Sequence, residues 1–362
     1  MRLRSIDATP LVIPFTTRFA HASASRSETA SLWVTVTTDD GVTGQGESCP
    51  RPYVTGESVE SAGAFVARHR DDLTASVRDL ASLDAWAAAH AAEIDAAPAG
   101  WCAVELAMLD ALGRATGAPL ESVLGLPVLA GPFRYTAVIG DGDLAHFEQQ
   151  WARYRAVGFR DVKLKVSGDL NRDAPKLAAL AAPGDVRVRL DANNLWRDVD
   201  TALAYLTALP APVFALEEPL APGDVTSLAI IAARIDTPIV LDESATRVAH
   251  LRGLPGPPAR WIVNVRVSKM GGVQRALDVV RAACAAGHRV IVGAQVGETS
   301  LLTRAALPVA EAAGPALVAM EGGFGTLLLT RDVCDPPLMF GAGGRLVVAD
   351  HPRLARPGLG VA

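Results

Sequence analysis

Between residues 135 and 320 the chain repeats one pattern, a short apolar run followed by a stretch of helical length. Eight such runs occur: 135–139, 162–166, 186–190, 213–216, 239–241, 262–267, 290–292 and 316–320. Amphipathic stretches such as 144–156, 223–234 and 273–286 separate them. This alternation predicts an α/β fold with parallel strands. Eight units in roughly 190 residues fit a closed barrel better than an open doubly wound sheet.

A second regularity runs in phase with the first. Lys165, Asp191, Glu217, Asp242 and Arg266 each stand at the C-terminal end of an apolar run, at intervals of 26, 26, 25 and 24 residues. Each interval is one βα unit. In a parallel barrel the strand C-termini open onto one face, where active sites form. The five charges are therefore expected at one mouth.

The first part of the chain has a different grammar. Residues 6–15 and 31–38 read as strands, Asp39-Asp40-Gly41 as a hairpin turn, and the polar stretch 16–26 as a connection. Ala-rich helical patterns fill 57–96, and 100–113 reads as a buried helix with little polar face. With 362 residues, 50% of them hydrophobic and 20% charged, the chain has enough apolar material for two domains and is not a disordered chain. A net charge of -5, with both signs dispersed, excludes nucleic acid as the main partner. Four cysteines without a C-x-x-C pair fit reduced thiols. The first residues lack the apolar core of a signal peptide, and no apolar stretch of about 18 residues offers a membrane span. The expectation is a soluble cytoplasmic protein.

Asp191, Glu217 and Asp242 would repel one another at a shared mouth, and burial would strip their charge unless a cation compensated it. An all-oxygen set selects Mg²⁺, or Mn²⁺, over softer metals. Lys163 and Lys165 lie in the apolar run 162–166, and period-two alternation points both into the barrel. Paired, partly desolvated ammonium groups are expected to lower one another's pKa, which suits a lysine to general-base work. Lysine is scarce here: of 34 basic residues only Lys163, Lys165, Lys176 and Lys269 are lysines. Metal and base together describe removal of a carbon-bound proton beside the carboxylate of a small-molecule substrate.

These residues carry a resemblance. Lys163-Leu164-Lys165, Asp191-Ala192-Asn193, Glu217-Glu218-Pro219 and Asp242-Glu243-Ser244 resemble the enolase superfamily, in its muconate-lactonising-enzyme-like branch. Residues 103–107 with 110–113, and 356–360, resemble that branch's pre-barrel helix and C-terminal return. The resemblance implies an α+β capping domain over residues 1–130 and a (β/α)₇β TIM-like barrel over 131–340. Residues 341–362 would form a segment returning to the cap. It further implies Mg²⁺ on Asp191, Glu217 and Asp242, Lys165 as base, and Lys163 holding the substrate carboxylate. Asn193 and Glu243 would orient the site. A homo-oligomer is a further expectation from the family.

The sixth strand departs from the pattern. Two-base members show Asn-x-Lys-x-x-Lys-x-Gly-Gly there, whereas this chain has Arg266 at the first lysine, followed by Lys269, Gly271 and Gly272. Arginine is a poor acid or base near neutrality but a good oxyanion partner. The seventh-strand region, 292–299, holds no histidine; Gln295 and Glu298 are candidates for substrate contact or for a structural turn. Glu321-Gly322-Gly323 lacks the Asp-x-Asp that dipeptide-processing members carry on the eighth strand. The expected reaction is therefore α-proton abstraction followed by β-elimination or cycloisomerisation. The alternatives are a racemase or epimerase of an α-substituted carboxylate such as an amino-acid derivative, with Arg266 or Lys269 serving the other face, and a metal-binding homologue without turnover. Loops 16–26, with His21, and 47–54 are expected to set specificity.

Overall fold

The computed structural model describes residues 1–21 and 24–361, with the side chains of 18–25 outside that description. Strands Leu3–Leu11, Ser31–Thr38 and Thr43–Ser48 form an antiparallel sheet with Ser31–Thr38 in the centre. The turn Asp39-Asp40-Gly41 joins the last two, and Gly41 has a φ of 85°. The run 6–15 is divided, because the chain changes partner at Ile13. The Ile13 amide donates to Thr29 Oγ1 at 2.9 Å and its carbonyl accepts from the Thr29 amide at 2.9 Å. Pro14–His21 then pairs with Ala24–Glu28, so part of the stretch expected as a connection is a β-ribbon.

Four helices follow over the predicted helical region, Val59–Ser76, Leu80–Ala89, Ala91–Ala96 and Pro98–Thr116. Ser58 and Asp79 cap the first two through their side chains. Pro98–Thr116 is buried from Pro98 to Gly113. Strand Thr43–Ser48 lies flat against it, and Gly46 makes that approach feasible: a Cβ there would stand 1.9 Å from the Ala103 carbonyl oxygen.

All eight predicted runs overlap barrel strands: Ala137–Ile139, Asp161–Lys165, Arg187–Asp191, Ala215–Glu217, Ile239–Leu241, Trp261–Val265, Arg289–Val292 and Leu317–Met320. They are parallel and ordered as in the chain. A parallel bridge between Tyr135 and Met320 closes the ring, with the Thr136 amide 2.7 Å from the Met320 carbonyl oxygen. The fold is mixed α/β, a barrel of parallel strands with a small antiparallel cap. The connection from the fifth to the sixth strand carries two 3₁₀ turns, Val248–Leu251 and Pro258–Arg260, in place of a helix. Two glycines and three prolines within 253–258 make a helix there unfavourable.

Cap and barrel are joined by buried carboxylates. Glu105, on Pro98–Thr116, accepts from the amides of Val273 at 2.5 Å and Gln274 at 3.2 Å, capping the barrel helix Val273–Ala285. Gly272 makes room for it: its φ is 100°, and a Cβ would fall 2.0 Å from Glu105 Oε2. Glu47 accepts from the Thr299 amide at 3.1 Å, and Glu121 holds Arg304 with two bonds of 2.6 and 2.7 Å. Asp110 accepts from the amides of Gln45 and Leu359, tying the C-terminal segment to the cap. Among the described residues no helix is long and apolar enough to cross a membrane.

Candidate active site

Lys163 and Lys165 project from the second strand on the face opposite Leu164, as their spacing requires. Strand register aligns Lys165 with Asp191, and Asp191 with Glu217. Asp242 and Arg266 follow immediately on the fifth and sixth strands. The five phased charges thus meet at one mouth, all of them buried.

Each carboxylate is held there by cations. Lys165 Nζ lies 2.9 Å from Asp191 Oδ2 and 2.6 Å from Asn193 Oδ1. Lys163 Nζ touches Glu217 at 3.2 Å, Glu321 at 2.9 Å and Asp191 at 3.5 Å. Arg266 bonds to Asp242 through one nitrogen and donates to Gln295 Oε1 at 2.9 Å through the other. Arg189, two residues before Asp191 on the same face, bonds to Glu321 and lies 3.3 Å from Glu217. Asn264 donates to Glu217 at 3.1 Å.

The local potential follows from these pairs. Burial pulls the Lys163 ammonium down, but Glu217, Glu321 and Asp191 outweigh it and hold the group above the usual lysine range. The expectation that the two lysines depress one another therefore fails for Lys163, because three carboxylates surround it. Burial raises Asp191 and Asp242, yet the cations win and both lie below the usual range. Burial also opposes the charge on Arg266, and the adjacent acids, Asp242 foremost, more than restore it. Arg266 is a fixed cation in this setting, unsuited to proton transfer.

Lys269 is placed apart from the reaction centre. Its ammonium is buried and donates to the Asp242 carbonyl at 2.7 Å, Asp242 Oδ1 at 2.9 Å and the Asn264 carbonyl at 2.6 Å. It does not line the cavity described below, so a second-base role for Lys269 conflicts with its position. Its work is to steady Asp242 and the end of the sixth strand.

Among the described residues no three His, Cys, Asp or Glu side chains converge as a metal cluster. The donor set nevertheless suits a hard cation in kind. Asp191, Glu217 and Asp242 offer only carboxylate oxygens, and neighbouring Glu243 has a buried Oε2 without a hydrogen-bond partner. Burial, then Asp242 and Glu218, pushes the Glu243 carboxyl well up. Glu218 has a supporting task, since it accepts from the amides of Asp242 at 2.7 Å and Ser244 at 2.8 Å and fixes their backbone.

A cavity of about 190 Å³ opens at this mouth, with Lys163, Lys165, Asn193, Glu243, Arg266 and Glu321 on its polar wall. From the cap, Thr17 and Tyr53 reach it; the side chain of His21 lies outside the described residues. Arg51 is directed elsewhere, its guanidinium tying the carbonyls of Ala30, Pro50 and Val296. Just after the seventh strand, the Gln295 backbone N–H donates to Glu298 at 2.6 Å, and burial pushes Glu298 up to about 8. Sequence reasoning missed Arg189 and Asn264. Period-two spacing before Asp191 was the available signal for the first; Asn264 had only its motif position.

Comparison with known proteins places this geometry in context. A family model described as "Enolase C-terminal domain-like" matches residues 146–362. Another, "Mandelate racemase / muconate lactonizing enzyme, N-terminal domain", matches residues 6–125. The chain is 29% identical over 358 residues to the aromatic dipeptide epimerase of Herpetosiphon aurantiacus, covering 96% of each. It is 30% identical over 367 residues to the L-Lys-D/L-Arg epimerase of Methylococcus capsulatus, covering 100% of this chain and 99% of that one. The crystal structure of a dipeptide epimerase from Methylococcus capsulatus, complexed with Mg and the dipeptide L-Arg-D-Lys, matches with a TM-score of 0.82 at 28% identity, over 100% of both chains.

Proposed function

Since this chain belongs to the mandelate racemase/muconate lactonising enzyme family of the enolase superfamily, we propose that it is a Mg²⁺-dependent enzyme that removes the α-proton of a small carboxylate with Lys165. The observation that carries this reading is the buried pair Lys163 and Lys165 facing Asp191 and Glu217 across adjacent strands. In it, Asp191, Glu217 and Asp242 hold the metal, which when bound supplies a Lewis acid for the substrate carboxylate.

The chain's own groups do the rest. Lys165 stands at the cavity wall and takes the proton, with Asn193 Oδ1 fixing its direction. Lys163 is a permanent cation, and its charge favours the enediolate over the neutral-carbon ground state. Arg266 adds a second fixed positive charge at the wall.

For the overall reaction, the relatives favour racemisation or epimerisation of an amino-acid derivative over the elimination or cycloisomerisation expected from the sixth strand. Isomerisation is therefore the reading we advance. One observation favours the second: Arg266, held protonated by Asp242, occupies the place of a second base.

Solvent-deuterium exchange at Cα, measured over a library of carboxylic acids with Mg²⁺, tests both. Exchange is expected to depend on Mg²⁺ and to vanish in Lys165→Ala; exchange that survives this change refutes the base assignment. Deuterium in both configurations supports isomerisation, and retention of one configuration supports elimination or cyclisation. Asp242→Asn should weaken Mg²⁺ binding by calorimetry at least tenfold, and unchanged affinity would remove Asp242 from the ligand set.

A further inference from the structure

The cavity extends past the lysines. One face of the helix Leu144–Val157 presents Gln150, Arg153, Tyr154 and Val157 to the same space that Lys165 lines. Their spacing, i, i+3, i+4 and i+7, is that of a single helical stripe. Phe324, Leu327 and Leu328, from the segment after the eighth strand, complete this arm, together with Val138. Its walls are apolar and aromatic. The Tyr154 hydroxyl donates to the Val138 carbonyl at 3.2 Å, which turns the ring so that it meets Phe324 edge-on, with centroids 6.5 Å apart.

Three details single out this arm. Leu327 is 53% exposed although apolar, at a point where the cavity wall meets solvent. Gly322 and Gly323 line the passage without side chains, and none would fit there: a Cβ at Gly323 would stand 2.9 Å from Tyr135 Cε1, and one at Gly322 2.6 Å from Ala294 Cβ. Finally, the arm ends in unmatched polar groups. Gln150 Oε1 is buried without a hydrogen-bond partner, and Arg153 makes no ion pair among the described residues.

From this arrangement we infer that the arm is the specificity subsite. The substrate it selects is an α-substituted carboxylate whose substituent is an extended apolar chain ending in an anion that Arg153 receives. The inference rests on the α-proton abstraction proposed above and adds the substrate class to it. Apolar walls gain from burial of each methylene of the chain, about 0.8 kcal/mol, or close to fourfold in affinity per CH₂. A guanidinium then selects a terminal carboxylate.

The test uses the full-length protein with Mg²⁺ and three probes, N-acetyl-, N-hexanoyl- and N-adipoyl-alanine, read as kcat/KM for Cα deuterium exchange. The N-hexanoyl probe should exceed the N-acetyl probe by at least tenfold, mostly through KM, and the N-adipoyl probe should exceed the N-hexanoyl. Val157→Trp should bring the hexanoyl-to-acetyl ratio to about one. Arg153→Gln, at an exposed position, should bring the adipoyl-to-hexanoyl ratio to about one. Equal kcat/KM for all three probes, with exchange still abolished by Lys165→Ala, overturns the arm and leaves the proposed function standing. Absence of exchange from every probe, and from the wider acid library, overturns that function and the inference with it.

Discussion

The seam between cap and barrel and the mouth of the barrel both bury carboxylates, and they satisfy them by opposite means. At the seam, Glu47 and Glu105 accept from backbone amides at helix N-termini, and Glu121 is the exception, paired with Arg304. No cation compensates the burial fully, so Glu47 rises to about 7 and Glu105 to about 8. At the mouth, Asp191, Asp242 and Glu321 face ammonium and guanidinium groups and fall below the usual range despite burial, whereas at Glu217 and Glu243 burial wins and the carboxyl is raised. The seam needs geometry and tolerates a proton. On the proposed function the mouth needs charge, because its residues would attract an anionic substrate and stabilise a more anionic transition state.

The largest effect expected on this contrast is catalytic. Lys165→Ala should lower Cα exchange by about 10³-fold or more, within or above the usual range for loss of a general base, with an unchanged thermal transition by calorimetry. If the transition also falls, Lys165 belongs to the structural side of the comparison.

Next comes a change confined to the seam. Gly272→Val forces a side chain into the space held by Glu105 and a strained φ, and should cost at least ~3 kcal/mol of stability, read by denaturant unfolding. A variant as stable as the parent would show that the capping contact is dispensable.

A smaller effect distinguishes the two regions by pH. Below pH 4.5 Glu105 is protonated in both folded and unfolded chains. Between about 4.5 and 8 the unfolded chain ionises while the folded one holds its proton, so stability falls as pH rises, by at most ~1.4 kcal/mol per pH unit. Glu105→Gln should flatten that part of the profile and raise stability at pH 8. A steeper profile in this variant would reverse the sign assigned to the seam.

The smallest expected change replaces the fixed cation at the mouth by one that can transfer a proton. Arg266→Lys should raise the share of deuterium in the second configuration a few-fold. No change would mean that the other face is served from elsewhere.

Much of this was legible before any coordinates. The 24–26-residue phase of Lys165, Asp191, Glu217, Asp242 and Arg266 could be read as one mouth because βα units repeat along the chain and strand ends share a side. The scarcity of lysine marked Lys163 and Lys165. The helix expected between the fifth and sixth strands was absent, and the prolines and glycines of 253–258 were a signal within reach. The β-ribbon of Pro14–His21 with Ala24–Glu28 could not be read, since its pairing is fixed by Thr29 bonding back to Ile13. Nor could the role of Glu105, whose partners Val273 and Gln274 lie far along the chain.

The sequence by itself determined the class of the fold and the meeting of charges at one mouth, both properties of local period and residue chemistry, while the family resemblance marked Arg266 as standing where a second lysine is usual. Tertiary structure decided how each charge is balanced. It raised Lys163 where paired lysines alone would lower it, buried Lys269 beneath Asp242, and opened an apolar arm between a helix face and the segment after the eighth strand. Such outcomes depend on which groups come within a few ångströms after folding, because electrostatic and packing energies are set by those distances and by the exclusion of water.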